Sequence, residues 1–346
     1  MLVGLADSQD APGGVPMRIA AGDDGSIWLT YFAPNQNKIG RVRPDLTYTD
    51  YHLRTPLSGP YEITNGPDGA MWFTEPGRNA IGRITPDGIC SHIPLSSPAS
   101  ALFGIAAGHD GAIWFAENNT NRIMRTTVSG RVEQVAQLTT SGGPWHIAPG
   151  LNGIMWFTAG SDAARLHSIR PDGHVDFYEL PRNGTVVGDI AVAPDGAVWF
   201  TEPRDDQIGR MIADVSIVEM VVPTPDARPI GITYGPDGAI WFTESGAGKI
   251  GRITTDGQIT EFELPGPDND PSDIVAGRDG ALWFNYHTAP RVGRITLDGS
   301  IVTYGPEFLG AGESRDCIEE STTAEHPQRP RSGSVAVGTR ERVTNG

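Results

Sequence analysis

The sequence predicts an all-β protein, a seven-bladed β-propeller with four antiparallel strands in each blade. Two observations support this fold class. A tryptophan recurs every 42 to 44 residues along most of the 346-residue chain, and each copy stands in the same phrase, of which GPDGAIWFTE at 235–244 is the clearest example. Units this short bury a core only when they stack on their neighbours. The seven tryptophans are Trp28, Trp72, Trp114, Trp156, Trp199, Trp241 and Trp283.

The sixth repeat shows why one unit is a four-stranded sheet. Residues 230–234 form a short apolar run, and the Gly-Pro-Asp-Gly sequence after them is typical of a turn. Residues 239–244 are rich in β-branched and aromatic types, which favours a second strand. A third strand is predicted at 249–254, and residues 258–264 alternate polar and apolar side chains as a half-exposed fourth strand does. Four antiparallel strands in about 42 residues make one propeller blade.

The two ends of the predicted propeller differ. Strand alternation places both Asp-Gly turns of a blade at one end, and these turns vary little between repeats. The opposite end carries longer connections that differ from blade to blade, and variable loops on a rigid scaffold are where binding sites occur. The uniform turns that follow the innermost strands are Asp24-Gly25, Asp68-Gly69, Asp110-Gly111, Asp195-Gly196, Asp237-Gly238 and Asp279-Gly280.

An acidic residue three positions after the tryptophan accompanies an arginine on the next strand in four repeats. We interpret this as a cross-strand ion pair that belongs to the scaffold. The pairs are Glu75 with Arg83, Glu117 with Arg125, Glu202 with Arg210, and Glu244 with Arg252.

The charge of the chain excludes some classes of binding partner. The net charge of −16 repels phosphate backbones and anionic lipids, so we expect neither nucleic acid nor membrane partners. We expect a monomer that binds a small molecule. The start of the chain shows no signal peptide, which favours the cytoplasm. Cys90 and Cys317 are interpreted as incidental thiols.

The repeats leave a tail at each end. We predict an N-terminal tail at 1–13, the propeller at 14–310, and a disordered C-terminal tail at 311–346, whose composition cannot supply a core. Blade seven supplies its own outer strand at 301–304, so side-chain packing between blades one and seven is expected to close the ring.

One position on the innermost strands is unusually polar, occupied by Arg18, Glu62, His146, Asp189 and Asp273. If these side chains point into the channel mouth, the carboxylates suit a hard divalent cation, and His146 is the candidate base. The alternative is that they are polar because water fills the channel. The preceding position carries an apolar series that favours either a small-molecule pocket or ordinary packing between blades: Met17, Tyr61, Phe103 and Trp145.

The phrase PTPDARPIGITYG at 223–235, together with the repeated PDGAIWFTE, resembles the streptogramin lyases, also called the virginiamycin B lyase family. The resemblance covers all seven repeats. It implies a seven-bladed propeller, a carbon–oxygen lyase that opens the lactone of type B streptogramins by elimination, Mg2+ as cofactor, and a role in antibiotic resistance.

The resemblance also implies site positions at the entrances of the sixth and seventh innermost strands. The family carries a metal-binding histidine where this chain has Ile230, and an acid and a basic histidine where this chain has Asp270 and Ser272. A serine cannot replace the histidine as base at neutral pH. Asp270 remains available as a metal ligand.

Two hypotheses follow. The first is a metal-dependent lactone or ester lyase with altered residues: His146 is catalytic, Arg18, Tyr61 and Trp145 bind the ligand, and the metal ligands are Glu62, Asp189, Asp270 and Asp273. The alternative is a non-catalytic propeller that binds a small ligand or a protein on its variable face.

Overall fold

The computed structural model describes residues 14–319 except 34–35, 98–99, 140–141, 161–164, 183, 213–215 and 268. The predicted N-terminal tail lies outside these residues. The chain forms seven sheets, each built on four antiparallel strands that follow one another from the innermost to the outermost. In chain order the strands are β1 (Arg18–Ala21), β2 (Ile27–Tyr31), β3 (Lys38–Val42), β4 (Tyr48–His52), β5 (Ile63–Asn65), β6 (Met71–Glu75), β7 (Ala80–Ile84), β8 (Ile89–Pro94), β9 (Leu102–Ala107), β10 (Ile113–Glu117), β11 (Arg122–Thr126), β12 (Val132–Gln137), β13 (Pro144–Pro149), β14 (Met155–Ala159), β15 (Arg165–Ile169), β16 (Val175–Glu179), β17 (Ile190–Val192), β18 (Val198–Glu202), β19 (Gln207–Ile212), β20 (Ser216–Val221), β21 (Pro229–Tyr234), β22 (Ile240–Glu244), β23 (Lys249–Ile253), β24 (Ile259–Glu263), β25 (Pro271–Ala276), β26 (Leu282–Tyr286), β27 (Val292–Ile295) and β28 (Ile301–Tyr304).

The seven sheets form a closed ring, so the predicted seven-bladed propeller is confirmed. Each innermost strand contacts the innermost strand of the next blade, and β25 of blade seven contacts β1 of blade one. The predicted outer strand of blade seven is present as β28.

The core lies between the blades and repeats around the ring. The tryptophan of one blade shares a buried cluster with the residue that follows the tryptophan of the next blade, for example Trp72 with Phe115 and Trp241 with Phe284. This residue is phenylalanine in blades two to seven and Leu29 in blade one. In blades two, five, six and seven the same phenylalanine covers a glycine on the third strand. A Cβ on Gly82 would lie 2.1 Å from the Phe73 ring, so the close approach requires glycine.

The uniform turns are built by a recurring Asp–Trp–Arg arrangement. Each of the six predicted turn glycines has a φ between 73° and 87°, which glycine adopts without strain. In blade two, the Trp72 indole donates to Asp68 at 2.9 Å, and Arg83 pairs with the same carboxylate at 2.7 Å. The Arg83 guanidinium also lies over the Trp72 ring, 5.8 Å from its centroid.

The predicted ion pairs between the acid after the tryptophan and the arginine of the next strand are therefore wrong. Trp72 faces Arg83 across the ladder, whereas Glu75 faces Ala80. Side chains alternate between the two faces of a strand, so a residue three positions after the tryptophan points to the other face. The arginine lies on the tryptophan face and pairs with the turn aspartate.

Hydrogen bonds, and not only packing, close the ring between blades seven and one. The Asn285 side chain donates from β26 to the carbonyl of Pro16 at 2.8 Å and to that of Met17 at 3.3 Å. The chain then crosses this seam through helix α1 (Pro306–Gly310).

After α1 the chain adds a fifth strand to two blades. β29 (Glu313–Asp316) pairs in parallel with β4, and β30 (Ile318–Glu319) pairs in parallel with β8. We call residues 305–319 the C-terminal strap. The predicted disorder of 311–346 is wrong for 313–316 and 318–319, because the outer edges of blades one and two offer unpaired backbone groups to an added strand. Residues 320–346 lie outside the described part of the chain.

Cys90 and Cys317 form a disulfide, with their Cα atoms 5.5 Å apart. The interpretation of these residues as incidental thiols is wrong, because the strap carries Cys317 across blade one to the outer strand of blade two. Disulfides persist mainly in oxidising compartments, and the cytoplasmic location stays a prediction.

In the part of the chain that the structure describes, no helix combines the length and apolar character that a membrane span needs.

Candidate functional site at the channel mouth

Hydrogen bonds between neighbouring blades fix the backbone at the variable end of the channel. The Thr30 hydroxyl donates to the Tyr61 carbonyl of the next blade at 2.6 Å, and Thr74 donates to the Phe103 carbonyl at 3.1 Å. The Thr74 hydroxyl also accepts from the amide of Glu62 in its own blade at 3.1 Å. Thr201 and Thr243 make the same bond to the next blade, so the threonine two positions after the tryptophan positions the following innermost strand at four places in the ring.

The five polar residues predicted to converge on the channel do so, and we call them the channel cluster. Arg18 Nε lies 3.3 Å from Glu62 Oε2, and one of its terminal nitrogens lies 3.4 Å from His146 Nε2. His146 Nδ1 lies 3.5 Å from Asp189 Oδ1 and 3.7 Å from Glu62 Oε2. The cluster thus joins blades one, two, four and five, and Asp273 adds blade seven.

The two aspartates of the channel cluster also hold backbone. Asp273 accepts from the amide of Ile274 at 2.9 Å and, across the seam, from that of Ile19 at 3.3 Å. Asp189 accepts from the amide of Ile190 at 2.8 Å and from that of Ile232 in blade six at 3.4 Å. These carboxylates therefore help to bind neighbouring blades together.

Blades three and six leave the ring of polar positions open with glycine. A Cβ on Gly104 would lie 2.5 Å from the Trp145 carbonyl oxygen, and one on Gly231 would lie 2.7 Å from the Ser272 carbonyl oxygen. Neither position has room for a side chain, so the backbones of adjacent innermost strands approach closely here.

Burial dominates the protonation of the channel cluster. It raises the pKa of Glu62 to about 8 and that of Asp189 to about 7, and it also raises the pKa of Asp273. Burial alone would lower the pKa of Arg18, but the surrounding carboxylates raise it well above its ordinary value. Burial and the nearby Arg18 charge lower the pKa of His146 well below its ordinary value. At neutral pH the guanidinium is therefore charged and the imidazole is neutral.

Arg18 also determines which imidazole nitrogen is protonated. A guanidinium only donates hydrogen bonds, so His146 Nε2 must accept, and the imidazole proton sits on Nδ1. The Nδ1 proton then points towards the carboxylates of Asp189 and Glu62. The lone pair that a general base would use is already engaged by Arg18.

The donor set does not fit Mg2+. Three of the carboxylates predicted as metal ligands, Glu62, Asp189 and Asp273, surround the Arg18 guanidinium, which already supplies a positive charge. Asp270 lies outside the channel cluster, beside Tyr286 and His287. Within the described residues, no three His, Cys, Asp or Glu side chains are already grouped as a coordination sphere, and this includes the channel cluster. The positions of Ile230 and Ser272 add no metal ligand of the family type.

Aromatic side chains line one side of the mouth, and we call Phe32, Tyr61, Phe103 and Trp145 the aromatic wall. Phe103 stacks on Trp145 with ring centroids 4.1 Å apart, and Tyr61 meets Phe103 edge-on at 5.3 Å. Phe32 meets Tyr61 edge-on at 5.6 Å. Phe103 and Trp145 are half-buried, whereas Tyr61 and Arg18 are buried. Of the predicted ligand-binding residues, Trp145 is therefore the one that a ligand reaches most directly.

Sequence reasoning missed Phe32. It lies four positions after Trp28, where the following repeats carry Pro76 and Asn118. An aromatic residue at this loop position, next to a series of aromatic channel residues, was the available signal.

Two of the cavities elsewhere on the molecule lie beside blade one. One of about 490 Å³ opens between blades seven and one near Arg43 and Trp283, and one of about 580 Å³ lies between β4 and the strap. Neither contains a residue of the channel cluster or of the aromatic wall. We interpret these cavities as gaps between structural elements and not as functional sites. The side chains with the most strongly shifted pKa values lie in the channel and within the blades instead.

The strongly raised carboxyl pKa values predict that stability falls as pH rises from about 6.5 to 8. An unfolded carboxyl titrates near pH 4, whereas Asp189 titrates at about 7 and Glu62, Glu202 and Glu244 at about 8. Between these values the folded state binds more protons than the unfolded state, so the free energy of unfolding falls with pH. Urea denaturation across this range measures the slope.

His146 has the opposite effect, because its pKa is lowered on folding, but that effect ends near pH 6.5 where the unfolded imidazole titrates. Glu62→Gln should flatten the slope. A free energy of unfolding that is constant or rises between pH 6.5 and 8 would contradict the prediction.

Known proteins match this chain along the propeller. The model of the virginiamycin B lyase family matches residues 6–159 and 125–308. A structure of streptogramin B lyase is 33% identical, covers 85% of this chain and 95% of its own, and superposes with a TM-score of 0.77. A catalytically inactive histidine-to-alanine variant of virginiamycin B lyase from Staphylococcus aureus, solved with quinupristin, is 34% identical over 89% of this chain and 88% of its own, with a TM-score of 0.50.

A virginiamycin B lyase of Nocardia farcinica (strain IFM 10152) is 41% identical over 61 residues, which is 18% of this chain. The matched part spans 22% of that relative's length.

Proposed function

Because the chain belongs to the virginiamycin B lyase family, we propose that its channel mouth binds a small lactone-bearing ligand without the Mg2+-dependent elimination implied by the resemblance. The observation that carries this proposal is the aromatic wall. Its stacked pair, Phe103 and Trp145, is half-buried at the variable end of the propeller. Apolar rings beside a few fixed polar groups are the usual composition of a small-molecule site.

The chemistry of the mouth selects the ligand. Flat or apolar groups of a ligand can stack on the rings of Phe103 and Trp145, because aromatic rings favour offset-stacked contacts. The net charge of −16 disfavours anionic ligands. A neutral cyclic ester with an aromatic substituent meets both conditions. Quinupristin, which is bound to the S. aureus relative, is therefore the probe of choice.

The channel cluster acts in this proposal as a rigid floor below the ligand. Its carboxylates are held by Arg18 and by backbone amides, and its side chains are buried. Reorganising these groups to receive a metal or a substrate would leave buried charges unpaired, at a cost of several kcal/mol.

Elimination with His146 as the base is the second candidate. The observation in its favour is the neutral state of the imidazole at neutral pH, which a general base requires. This mechanism requires Arg18 to release Nε2 of His146, so that the lone pair of Nε2 can accept a proton from the ligand. Loss of a positioned base costs about 10²–10⁴-fold in rate, so a weak residual activity would be measurable.

Replacing Trp145 with alanine is expected to weaken quinupristin binding by about tenfold or more, because the mutation removes the exposed face of the stacked pair. Isothermal titration calorimetry on the purified full chain measures the dissociation constant. Phe177→Ala is the matched control, since Phe177 is 58% exposed on the outer strand of blade four, away from the mouth.

Quinupristin linearisation is followed in parallel by mass spectrometry, with and without EDTA. We expect binding without linearisation. Linearisation that EDTA abolishes would overturn the binding proposal, and linearisation that EDTA leaves intact but His146→Ala abolishes would establish the second candidate. Equal affinities of Trp145→Ala and wild type would remove the aromatic wall from the site.

A further inference from the structure

Each blade has a pocket between its second, third and fourth strands, close to the variable end. It is bounded by the last residue of the second strand, the first residue of the third strand, and the fourth-strand residue that faces the middle of the third. In blade five these residues are Glu202, Gln207 and Glu219. In blade six they are Glu244, Lys249 and Glu261. The pocket therefore allows the same structural position to be compared around the ring.

In four of the other blades this pocket contains an acidic side chain, and in each of them it also contains a basic side chain. In blade one, Lys38 Nζ lies 2.6 Å from Asp50 Oδ2, and in blade two, His92 Nδ1 lies 2.6 Å from Glu75 Oε2. In blade six, Lys249 Nζ lies 3.3 Å from Glu261 Oε2.

Blade three follows the same rule, and blades four and seven lack the acid. Arg122 Nε of blade three donates to Glu117 Oε2 at 2.8 Å. Blade four has Ala159 at the acid position, and blade seven has Tyr286, whose ring lies 4.3 Å from the Arg291 guanidinium. A buried carboxylate in this pocket is therefore accompanied by a basic side chain in blades two, three and six.

Blade five departs from the rule. Glu202 and Glu219 are joined by Asp205 in the turn between the second and third strands, and the position of the basic residue is occupied by Gln207. The nearest cation is Arg182, which is 57% exposed and lies 3.6 Å from Glu219 Oε2. Glu202 is fully buried. Because Gln207 is neutral and Arg182 lies at the surface, no cationic side chain accompanies Glu202 inside the pocket.

The oxygen atoms of this pocket lack hydrogen-bond donors. Both oxygens of Glu202 are buried without a partner, as are both oxygens of Glu244 in blade six. Blade five differs because one oxygen each of Asp205, Gln207 and Glu219 also lacks a partner, whereas Glu261 of blade six is bonded to Thr224 and Lys249. A buried acceptor without a donor costs free energy. A proton on Glu202 would remove one charge and satisfy one acceptor, and the remaining acceptors would still lack donors. Carboxylate and amide oxygens are instead the ligands that calcium-type cations take.

We propose that the blade-five pocket formed by Glu202, Asp205, Gln207 and Glu219 binds a divalent cation of the calcium class. The cation takes the place of the lysine ammonium of blades one and six. The three carboxylates are not already grouped as a coordination sphere, so binding draws the side chains together or proceeds through a bridging water, as calcium sites permit.

This pocket is separate from the channel cluster. Glu202 lies at the outer end of β18, on the opposite face of the strand from Trp199, whereas Asp189 enters the channel before β17. The proposal concerns a structural ion in one blade and is independent of ligand binding at the mouth.

The test measures calcium binding to the EDTA-treated, dialysed full chain by isothermal titration calorimetry and by thermal unfolding. It is performed near pH 8.5, above the Glu202 pKa of about 8, so that protons do not compete. We expect one equivalent of Ca2+ to bind and to raise Tm by several degrees relative to EDTA.

Gln207→Lys is the decisive variant, because it supplies the ammonium that Lys249 supplies in blade six. It should fold, lose calcium binding, and unfold in EDTA at a temperature at least as high as that of wild type. Glu202→Gln should weaken calcium binding at least tenfold. Asp87→Asn, which removes an exposed carboxylate from a turn of blade two, is the control and should bind calcium as wild type does.

Absence of calcium binding to wild type at millimolar concentration would overturn the proposal. Unchanged binding by Gln207→Lys would also overturn it, because the ion would then lie elsewhere, for example in the channel.

Discussion

Replacing Arg18 with methionine is expected to destabilise the folded chain by about 3–5 kcal/mol near pH 8, the cost of leaving a buried charge without its partner. Arg18 is 6% exposed and is the cation in contact with Glu62, and its charge also acts on Asp189 and Asp273. Urea denaturation of wild type and variant, followed by tryptophan fluorescence, gives the difference in free energy of unfolding.

The pH dependence separates a charge effect from a packing effect. Below about pH 5 the carboxyls of Glu62 and Asp189, with pKa values raised to about 8 and 7, are protonated in the folded state. The destabilisation by Arg18→Met should therefore shrink as pH falls from 8 to 5.

Arg43→Met is the matched control for Arg18→Met. The Arg43 guanidinium is bonded to the hydroxyls of Thr49 and Tyr51 and lies in the outer part of blade one. It should cost much less and show little dependence on pH. A loss below about 1 kcal/mol for Arg18→Met, or one that is equal at pH 5 and pH 8, would contradict the assigned role.

The same guanidinium explains why the sequence predicted the members of the site better than their chemistry. The repeats place Arg18, Glu62, His146, Asp189 and Asp273 at equivalent positions of their blades. In a closed ring, side chains at equivalent positions of the innermost strands converge on the axis. Which of these groups neutralises which depends on side-chain directions that the register does not determine. The sequence predicts Arg18 as a ligand-binding residue, and the structure places it among the carboxylates that the sequence predicts as metal ligands.

The fold was predictable because its signals are local. The Asp-Gly turns specify a backbone conformation directly, and the strand patterns repeat seven times, so an error in one copy is corrected by the others. The predicted ion pairs are wrong because spacing along the chain does not say which face of a strand a side chain occupies. Arg83 lies opposite Trp72, and Glu75 lies on the other face.

The seam between blades seven and one was harder to predict because nothing repeats there. Asn285 stands where most other blades have threonine, and its longer side chain reaches the carbonyls of Pro16 and Met17. The strap adds parallel strands to the edges of blades one and two, which is a pairing over more than 200 residues with no pattern in the sequence. The same long range concealed the disulfide.

Cys317→Ser is expected to lower the free energy of unfolding by about 2–4 kcal/mol, because the disulfide closes a very long loop and so restricts the unfolded chain. The two cysteines are separated by 227 residues, which include most of the ring. The loss should appear as a lower midpoint in urea and as release of the strap. The amides of Cys317 and Ile318, which donate to His52 and Gly88 at 3.0 Å, should exchange faster with solvent.

The internal control is Cys90→Ser, which breaks the same bond from the other side and should cost a similar amount. The double variant should lose no more than either single variant, since both changes remove one interaction. Reduction of wild type with dithiothreitol should reproduce the loss without any mutation. If reduction leaves the midpoint unchanged, or if the single losses add in the double variant, the covalent link does not hold the ring together. Closure would then rest on Asn285 and on the packing of blade seven against blade one, where Trp283 lies in the same buried cluster as Leu29.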